Sequence, residues 1–317
     1  MIYIKITTSN VYNNKNMQFV SSDNDKYVSC YLMGGLGNQL FQIFTTIAYG
    51  FENDRKVVFP YTKELKTGTI RNTYWDNFLG TIKDSHTVLN TENKFKNEMI
   101  SHFPAIRETD FIYQPIPCAS NNEILLFGYF QSYKYFEESK NKIFDLIHLE
   151  KQQHQVIQEV ALELFYDFEI RNISMHFRIG DYKKIQDCHP LMPYEYYEKA
   201  LKHIISQNPT HPYQVLYFHE DVDTADVEII VNKLKSQDMF SNIKFVRVQH
   251  NLDDWQQMLL MSCCTHNIIA NSTFSWWGAY FNTYSDKIIC YPSLWFGQKL
   301  KHNTRDLFPE NWNKIII

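Results

Sequence analysis

Met175-His176-Phe177-Arg178-Ile179-Gly180-Asp181-Tyr182 is the most informative stretch of the 317-residue chain. Ile173, Met175, Phe177 and Ile179 alternate with Ser174, His176 and Arg178, which is the period of a strand with one buried face. The run breaks at Gly180. In an open α/β sheet, ligands bind beyond the carboxyl ends of the strands. An arginine there can grip a phosphate with both arms of its planar fork, which a lysine cannot do. Read alone, an Arg178–Asp181 surface pair beside a turn fits equally well, so the neighbouring segments have to decide.

Working outward, the chain alternates strands and helices. Tyr27–Met33 reads as a buried strand, Gly34-Gly35-Leu36-Gly37-Asn38 as a tight loop, and Gln39 to about Phe51 as a helix. Val57–Phe59 and Ile124–Phe127 are further strands, and an amphipathic helix is predicted from about Glu150 to Phe165. After the strand ending at Arg178, Pro193 suits the first turn of a helix reaching about Ser206. Strands at Val215–Phe218, Ile243–Val248, Asn267–Ala270 and Ile288–Tyr291 alternate with helices at Ala225–Ser236, Asp253–Cys263 and Ser272–Phe281. This pattern predicts an α/β protein with two Rossmann-like domains. The expected division is an N-terminal strand and polar arm (1–26), a first domain (27–166) and a second domain (167–317). Residues 60–122 carry few clear periods.

Composition narrows the function. A hydrophobic share of 44% supports sizeable cores, and the net charge of −4 gives no reason to expect nucleic acid as a partner. The six cysteines, Cys30, Cys118, Cys188, Cys263, Cys264 and Cys290, form no Cys-x-x-Cys and read as free thiols in a reducing compartment. The first residues, Met1–Ile6, are too short and polar a stretch for a signal peptide or anchor, so a soluble, cytoplasmic protein without membrane insertion is expected.

Two further segments raise the phosphate reading of Arg178. In Gly34–Gln42, glycines at a strand-to-helix turn let the backbone approach a ligand, and a helix N-terminus favours an anion. A dinucleotide fingerprint fails here, because Leu40 stands at the third glycine position and Glu52 and Asp54 precede the second strand where an acid should follow it. Without a ligand, the same residues make a tight turn capped by Asn38. In Asn267–Tyr280 a buried strand enters a polar turn and then a helix, so Ser272, Thr273 and Ser275 present hydroxyls and backbone N–H groups at a helix start. Trp276 and Trp277 read as packing residues.

Taken in order, Gly34–Gln42, Gly128–Phe136, His176–Tyr182, Tyr217–Asp221, Leu260–Cys264 with His266, Ile268–Ala279 and Tyr291–Phe296 resemble glycosyltransferase family 11, the α-1,2-fucosyltransferases. The resemblance implies GT-B architecture with parallel sheets facing a cleft, and a metal-independent, inverting enzyme that takes L-fucose from GDP-fucose to a galactose-type hydroxyl of a glycan. It places the nucleotide sugar on the second domain and much of the acceptor site on the first. Arg178 is then the group that grips the pyrophosphate and stabilises the leaving nucleotide. Ser272, Thr273 and Phe274 line the donor phosphates, with Gly35, Gly37, His176, Asn271 and Ser275 nearby. Asn38 and Gln39 face the cleft near the transferred sugar, and Asp181 orients Arg178 or the acceptor.

Two departures stand out. Relatives commonly carry a second arginine where this chain has Ile179. Nine residues before His266 they usually carry an aspartate, and this chain has Gln257. A carboxylate there can accept two guanine N–H groups, whereas a glutamine offers one acceptor and one donor. Asp253 or Asp254 are the upstream substitutes. A UDP- or dTDP-linked deoxyhexose such as rhamnose therefore stays open as donor, and fold alone leaves open a non-catalytic nucleotide- or glycan-binding protein. Asp181 and His189 are the candidate general bases. Asp221-x-Asp223 reads as a polar loop after a strand rather than a manganese site, so no metal or other cofactor is expected. The acceptor and the oligomeric state are not legible.

Overall fold

The computed structural model describes residues 25–66, 68–84, 87–89, 100–248 and 252–317. The expected N-terminal strand and nearly all of the polar arm lie outside the described residues.

The first half supplies β1 (Tyr27–Cys30), β2 (Lys56–Phe59), the short β3 (Glu64–Leu65) and β4 (Arg71–Asn72), β5 (Thr87–Leu89), β6 (Ala105–Arg107) and β7 (Glu123–Phe127). Five of these form a sheet in the order β5-β2-β1-β7-β6, and β3–β4 is a separate antiparallel ribbon. The second half supplies β8 (Arg171–His176), β9 (Tyr213–Phe218), β10 (Lys244–Arg247), β11 (His266–Ile268), β12 (Ile289–Pro292) and β13 (Asn313–Ile315), in the order β10-β9-β8-β11-β12-β13. Every pairing within the two larger sheets is parallel. The sheets are two Rossmann-like halves, as the alternation of elements predicts, in the GT-B-like arrangement that the resemblance implies. β12 does not close the second sheet as expected; β13 does.

The helices used below are α1 (Leu36–Glu52), α2 (Lys140–Leu146), α3 (Leu149–Val156), α4 (Leu162–Phe165), α5 (Tyr194–Gln207), α6 (Thr224–Lys235), α7 (Asp254–Ser262) and α8 (Thr273–Tyr280). The single helix expected over 150–165 is instead α3 and α4, separated by a π turn at Ile157–Ala161. β8 also differs from expectation: both of its faces are buried, with Ser174 at 2% and His176 at 7% exposure. A central strand covered by helices on both sides has no solvent face. Ser174 is satisfied internally, since Asn267 Nδ2 donates to its Oγ at 2.8 Å and Asn282 Nδ2 in turn donates to Asn267 Oδ1 at 2.7 Å, whereas His176 Nδ1 has no hydrogen-bond partner among the described residues.

The largest apolar core runs through both halves. It joins Val28, Leu40, Phe41 and Phe44 to Leu216, Trp276, Trp277 and Trp312, while a second core gathers Ile173, Met175, Tyr197, Leu201 and Val215 on the other face of the second sheet. At its centre α1 packs on α8, with the Phe41 ring 4.5 Å from Trp276 and 5.0 Å from Trp277. Trp277 Nε1 donates to Gly37 O at 2.8 Å. Both tryptophans are fully buried, as their reading as packing residues requires.

Candidate active site

Strand order locates the site. In the second sheet the chain moves from β8 to β9 and β10 on one side, then returns to place β11 on the other side of β8. In the first sheet β2 and β5 lie on one side of β1 and β7 on the other. Each reversal opens a crevice at the carboxyl ends of the two diverging strands, the usual ligand position in open α/β sheets. The loops bordering these crevices are Gly34–Asn38 after β1, Gly128–Gln131 after β7, Arg178–Asp181 after β8, and Asn271–Ser275 after β11.

The two crevices meet. Asn38 Oδ1 accepts from Gln131 Nε2 at 3.0 Å and from Thr273 Oγ1 at 2.9 Å, tying three of the four loops to one atom. Gly37 makes this contact possible, since a Cβ there would lie 2.4 Å from the Thr273 carbonyl carbon and 2.7 Å from Phe274 N. Gly37 therefore serves a close approach between two stretches of the protein's own backbone. Gly35, the cap residue of α1, is different: a Cβ there meets nothing within 4 Å, so the space before it is open to a ligand. Gly34 adopts φ +78°, a conformation that favours glycine. Gln39 was expected at the cleft but is 1% exposed, and its amide nitrogen donates to Gly34 O (3.0 Å) and Asn72 O (2.8 Å), bracing the loop.

The fourth loop joins through aromatic contacts. Tyr182 Oη donates to Asn271 O at 3.2 Å, and the His176 ring lies 5.4 Å from Phe274. Ser272 caps α8, its Oγ accepting from Phe274 N at 3.3 Å, while Ser275 is fully buried and bonds within the turn. Asn271 is also buried; its Nδ2 donates to Pro190 O (2.9 Å) and Trp295 O (3.2 Å).

Arg178 stands at the β8 end of the crevice. One guanidinium nitrogen donates to Asp181 Oδ1 at 2.5 Å, the other to Glu220 Oε1, and the group lies over the Tyr182 ring at 5.1 Å. Burial pulls its pKa down, but Glu220 and Asp181 outweigh that and leave it raised, so the cation is permanent. Burial, with Arg178 close by, lowers the His176 pKa to about 3. Burial also lowers His189, stacked on Tyr182 at 4.8 Å, to about 4. Both imidazoles are neutral near pH 7, so neither repels a cationic partner at the crevice.

Further along the same edge, Asp253 caps α7 in a reciprocal pair with Gln256, and Asp254 accepts from Tyr74 Oη across the two halves. Gln257 Nε2 donates to Leu252 O at 3.1 Å, and its amide oxygen has no donor among the described residues. The Asp221–Asp223 segment, expected as a loop, is a 3-10 turn leading into α6: Asp221 accepts from Arg247, and Asp223 accepts from Gly180 N at 2.7 Å. No cluster of three potential metal ligands occurs among the described residues. All six cysteines are free; Cys118 is exposed and Cys188 partly so, while the other four are buried.

A cavity of about 630 Å³ opens beyond the ends of β1, β2 and β7, lined by Leu32, Thr62, Glu64 and Ser101 among others. A larger hollow of about 750 Å³, at Arg171, Pro212 and Asp286, lies at the amino ends of β8 and β9, away from the crevices. Sequence reasoning missed Gln131, Tyr74, Tyr182 and Glu220. Gln131 and Glu220 both lie in segments that carry the family resemblance, Gly128–Phe136 and Tyr217–Asp221, but the sequence attaches no role to either residue.

Two Rossmann-like halves, with their crevices meeting at Asn38, define a GT-B-like fold. The chain belongs to glycosyltransferase family 11, whose model matches residues 3–316. It is 26% identical to an Escherichia coli alpha-1,2-colitosyltransferase over 306 residues, covering 90% of this chain and 97% of that protein. It is 30% identical over 195 residues to the Escherichia coli O-antigen biosynthesis glycosyltransferase WbnK, spanning 60% of each protein. Among solved structures it is similar to the fucosyltransferase NodZ from Bradyrhizobium, at 11% identity, a TM-score of 0.41, and coverage of 81% of this chain and 93% of that one. It is also similar to Escherichia coli ADP-heptose lps heptosyltransferase II, at 11% identity, a TM-score of 0.48, and coverage of 92% and 90%. Among the described residues, no helix is long and apolar enough to cross a membrane.

Proposed function

We propose that the chain is an inverting transferase that moves L-fucose from GDP-fucose to a galactose-type hydroxyl of a glycan in α-1,2 linkage, without a metal. The observation that carries this reading is the meeting of the two crevices at Asn38, with Arg178 and the α8 N-terminus on one side and the open space before Gly35 on the other.

The donor diphosphate takes the arm of Arg178 that Glu220 holds and lies against the α8 N-terminus at Thr273. As the glycosidic bond breaks, negative charge gathers on the diphosphate and positive charge on the sugar ring; the fixed guanidinium and helix end stabilise the former. The acceptor hydroxyl attacks from the opposite face, held over the Gly35 opening. Asp181, 55% exposed, gives one oxygen to Arg178 and keeps the other for the acceptor proton. His189 is the other candidate base, and its ring supports Tyr182 beneath Arg178.

Two observations each favour a different alternative donor. Gln257, where the resemblance places an aspartate, favours a base other than guanine, and one relative is named for colitose, an L-fucose lacking its 3-hydroxyl, which favours another sugar. The test is calorimetric titration with GDP, UDP and dTDP, followed by incubation of GDP-fucose and GDP-colitose with a β-galactoside. Tight GDP binding and an α-1,2-fucosyl product by NMR support the first reading. Exclusive transfer of colitose, or preference for a pyrimidine nucleotide, replaces fucose. Absence of both transfer and donor hydrolysis reduces the chain to a binder.

A further inference from the structure

We infer that Glu220 is the carboxylate that binds the donor's ribose, exchanging Arg178 for the ribose hydroxyls as the diphosphate arrives. The inference rests on the donor orientation proposed above, with the diphosphate at the β8–β11 crevice and the base toward Gln257 on α7.

The sheet order then dictates the path of the nucleoside. β8, β9 and β10 are neighbours, and α7 begins after β10. Adjacent strands lie about 4.8 Å apart, so the end of β10 is about 10 Å from the end of β8. A nucleoside diphosphate spans a comparable distance, with its sugar in the middle, over the end of β9. Glu220 follows β9 by two residues, and its carboxylate reaches back to Arg178, across that path. Gly180 lies beneath it, since a Cβ on Gly180 would sit 3.0 Å from Glu220 Oε2. The Glu220 side chain is 54% exposed, so it is reachable and can turn without unpacking anything.

The exchange balances chemically. A diphosphate that takes the arm of Arg178 held by Glu220 displaces that carboxylate and leaves Asp181 on the other arm. The released carboxylate has two acceptor oxygens and a diol beside it, the pairing used by acids at the end of the second strand in dinucleotide-binding sheets. The same carboxylate selects for ribose, and so against a dTDP-linked donor whatever the base.

The test is calorimetric binding of GDP and 2′-deoxy-GDP to the full chain and to Glu220→Ala. The parent protein should bind GDP about 10-fold or more tightly than 2′-deoxy-GDP, the usual worth of a hydrogen bond to a charged group. In Glu220→Ala the two affinities should come within about 2-fold. Freeing Arg178 changes both affinities alike because the ligands share one diphosphate, so the ratio isolates the ribose contact. A parent ratio near one, or a ratio that survives in Glu220→Ala, overturns the assignment. If neither GDP nor UDP binds the parent protein, the donor reading itself falls, and this assignment with it.

Discussion

Gly37→Ala places one methyl group between two backbones. Its Cβ would lie 2.4 Å from Thr273 C, 2.6 Å from Thr273 O and 2.7 Å from Phe274 N, while ordinary contact begins near 3.4 Å. The partners are main-chain atoms, so no side chain can turn aside, and α1 and α8 must part by about 1 Å. Alanine is the better helix former by about 1 kcal/mol, and overpacking of this kind costs about 1–3 kcal/mol. A net loss of about 0–2 kcal/mol is expected in urea unfolding. The catalytic loss should be larger, because the same shift stretches the Asn38–Thr273 bond joining the two crevices. A misplacement of about 1 Å costs about 100-fold in rate. The assay is urea denaturation beside steady-state transfer with the best donor. A variant as stable and as fast as the parent would refute the close approach of the helices.

Gly35→Ala is the counterpart: no protein atom lies within 4 Å of its Cβ, so stability should hold within about 0.5 kcal/mol while substrate KM rises, and an unchanged KM would show that no ligand enters that space. Arg178→Lys keeps the charge but loses the fork, and kcat should fall about 10²–10³-fold; a kcat within a factor of two of the parent would remove Arg178 from leaving-group stabilisation. Trp277→Phe removes the donor to Gly37 O and should cost about 1–3 kcal/mol in unfolding; no loss would mean water replaces it. Stability should fall in acid. His176 and His266 have folded pKa values of about 3 and about 4, both lowered first by burial, and His266 Nδ1 accepts from Ile288 N, which protonation forbids. The unfolded chain takes up these protons from about pH 6.5 downward and the folded chain does not, so stability is full above that pH and drops by on the order of 1.4 kcal/mol per histidine per pH unit. Equal urea midpoints at pH 7 and pH 4.5 would contradict the burial argument.

Most of the sheet was legible because strands buried on both faces read as short apolar runs bounded by turns, as Val57–Phe59 and Val215–Phe218 do. β13 was not, since Asn313-Lys314-Ile315 is too short and mixed to show a period. α1 was expected from Gln39 but begins at Leu36, because a glycine inside a helix argues against one by propensity while packing on α8 demands it. The break at Ile157–Ala161 has no glycine or proline to announce it. In the site, Arg178 and Ser272 were legible from their positions after strands. Gln39 was misplaced because spacing along the chain does not reveal that an amide is consumed by Asn72, and Glu220 was passed over because an acid in a polar loop carries no signal until its neighbour across the sheet is known.

The apolar core shared by the two sheets bears on any attempt to recombine relatives. Exchanging whole halves between family members, to join one donor preference to another acceptor preference, would cut through Phe41, Phe44, Trp276 and Trp277. A chimera should therefore keep α1 and α8 from the same parent and change only the loops around them. A splice at the chain midpoint would trade a specificity problem for an insoluble product.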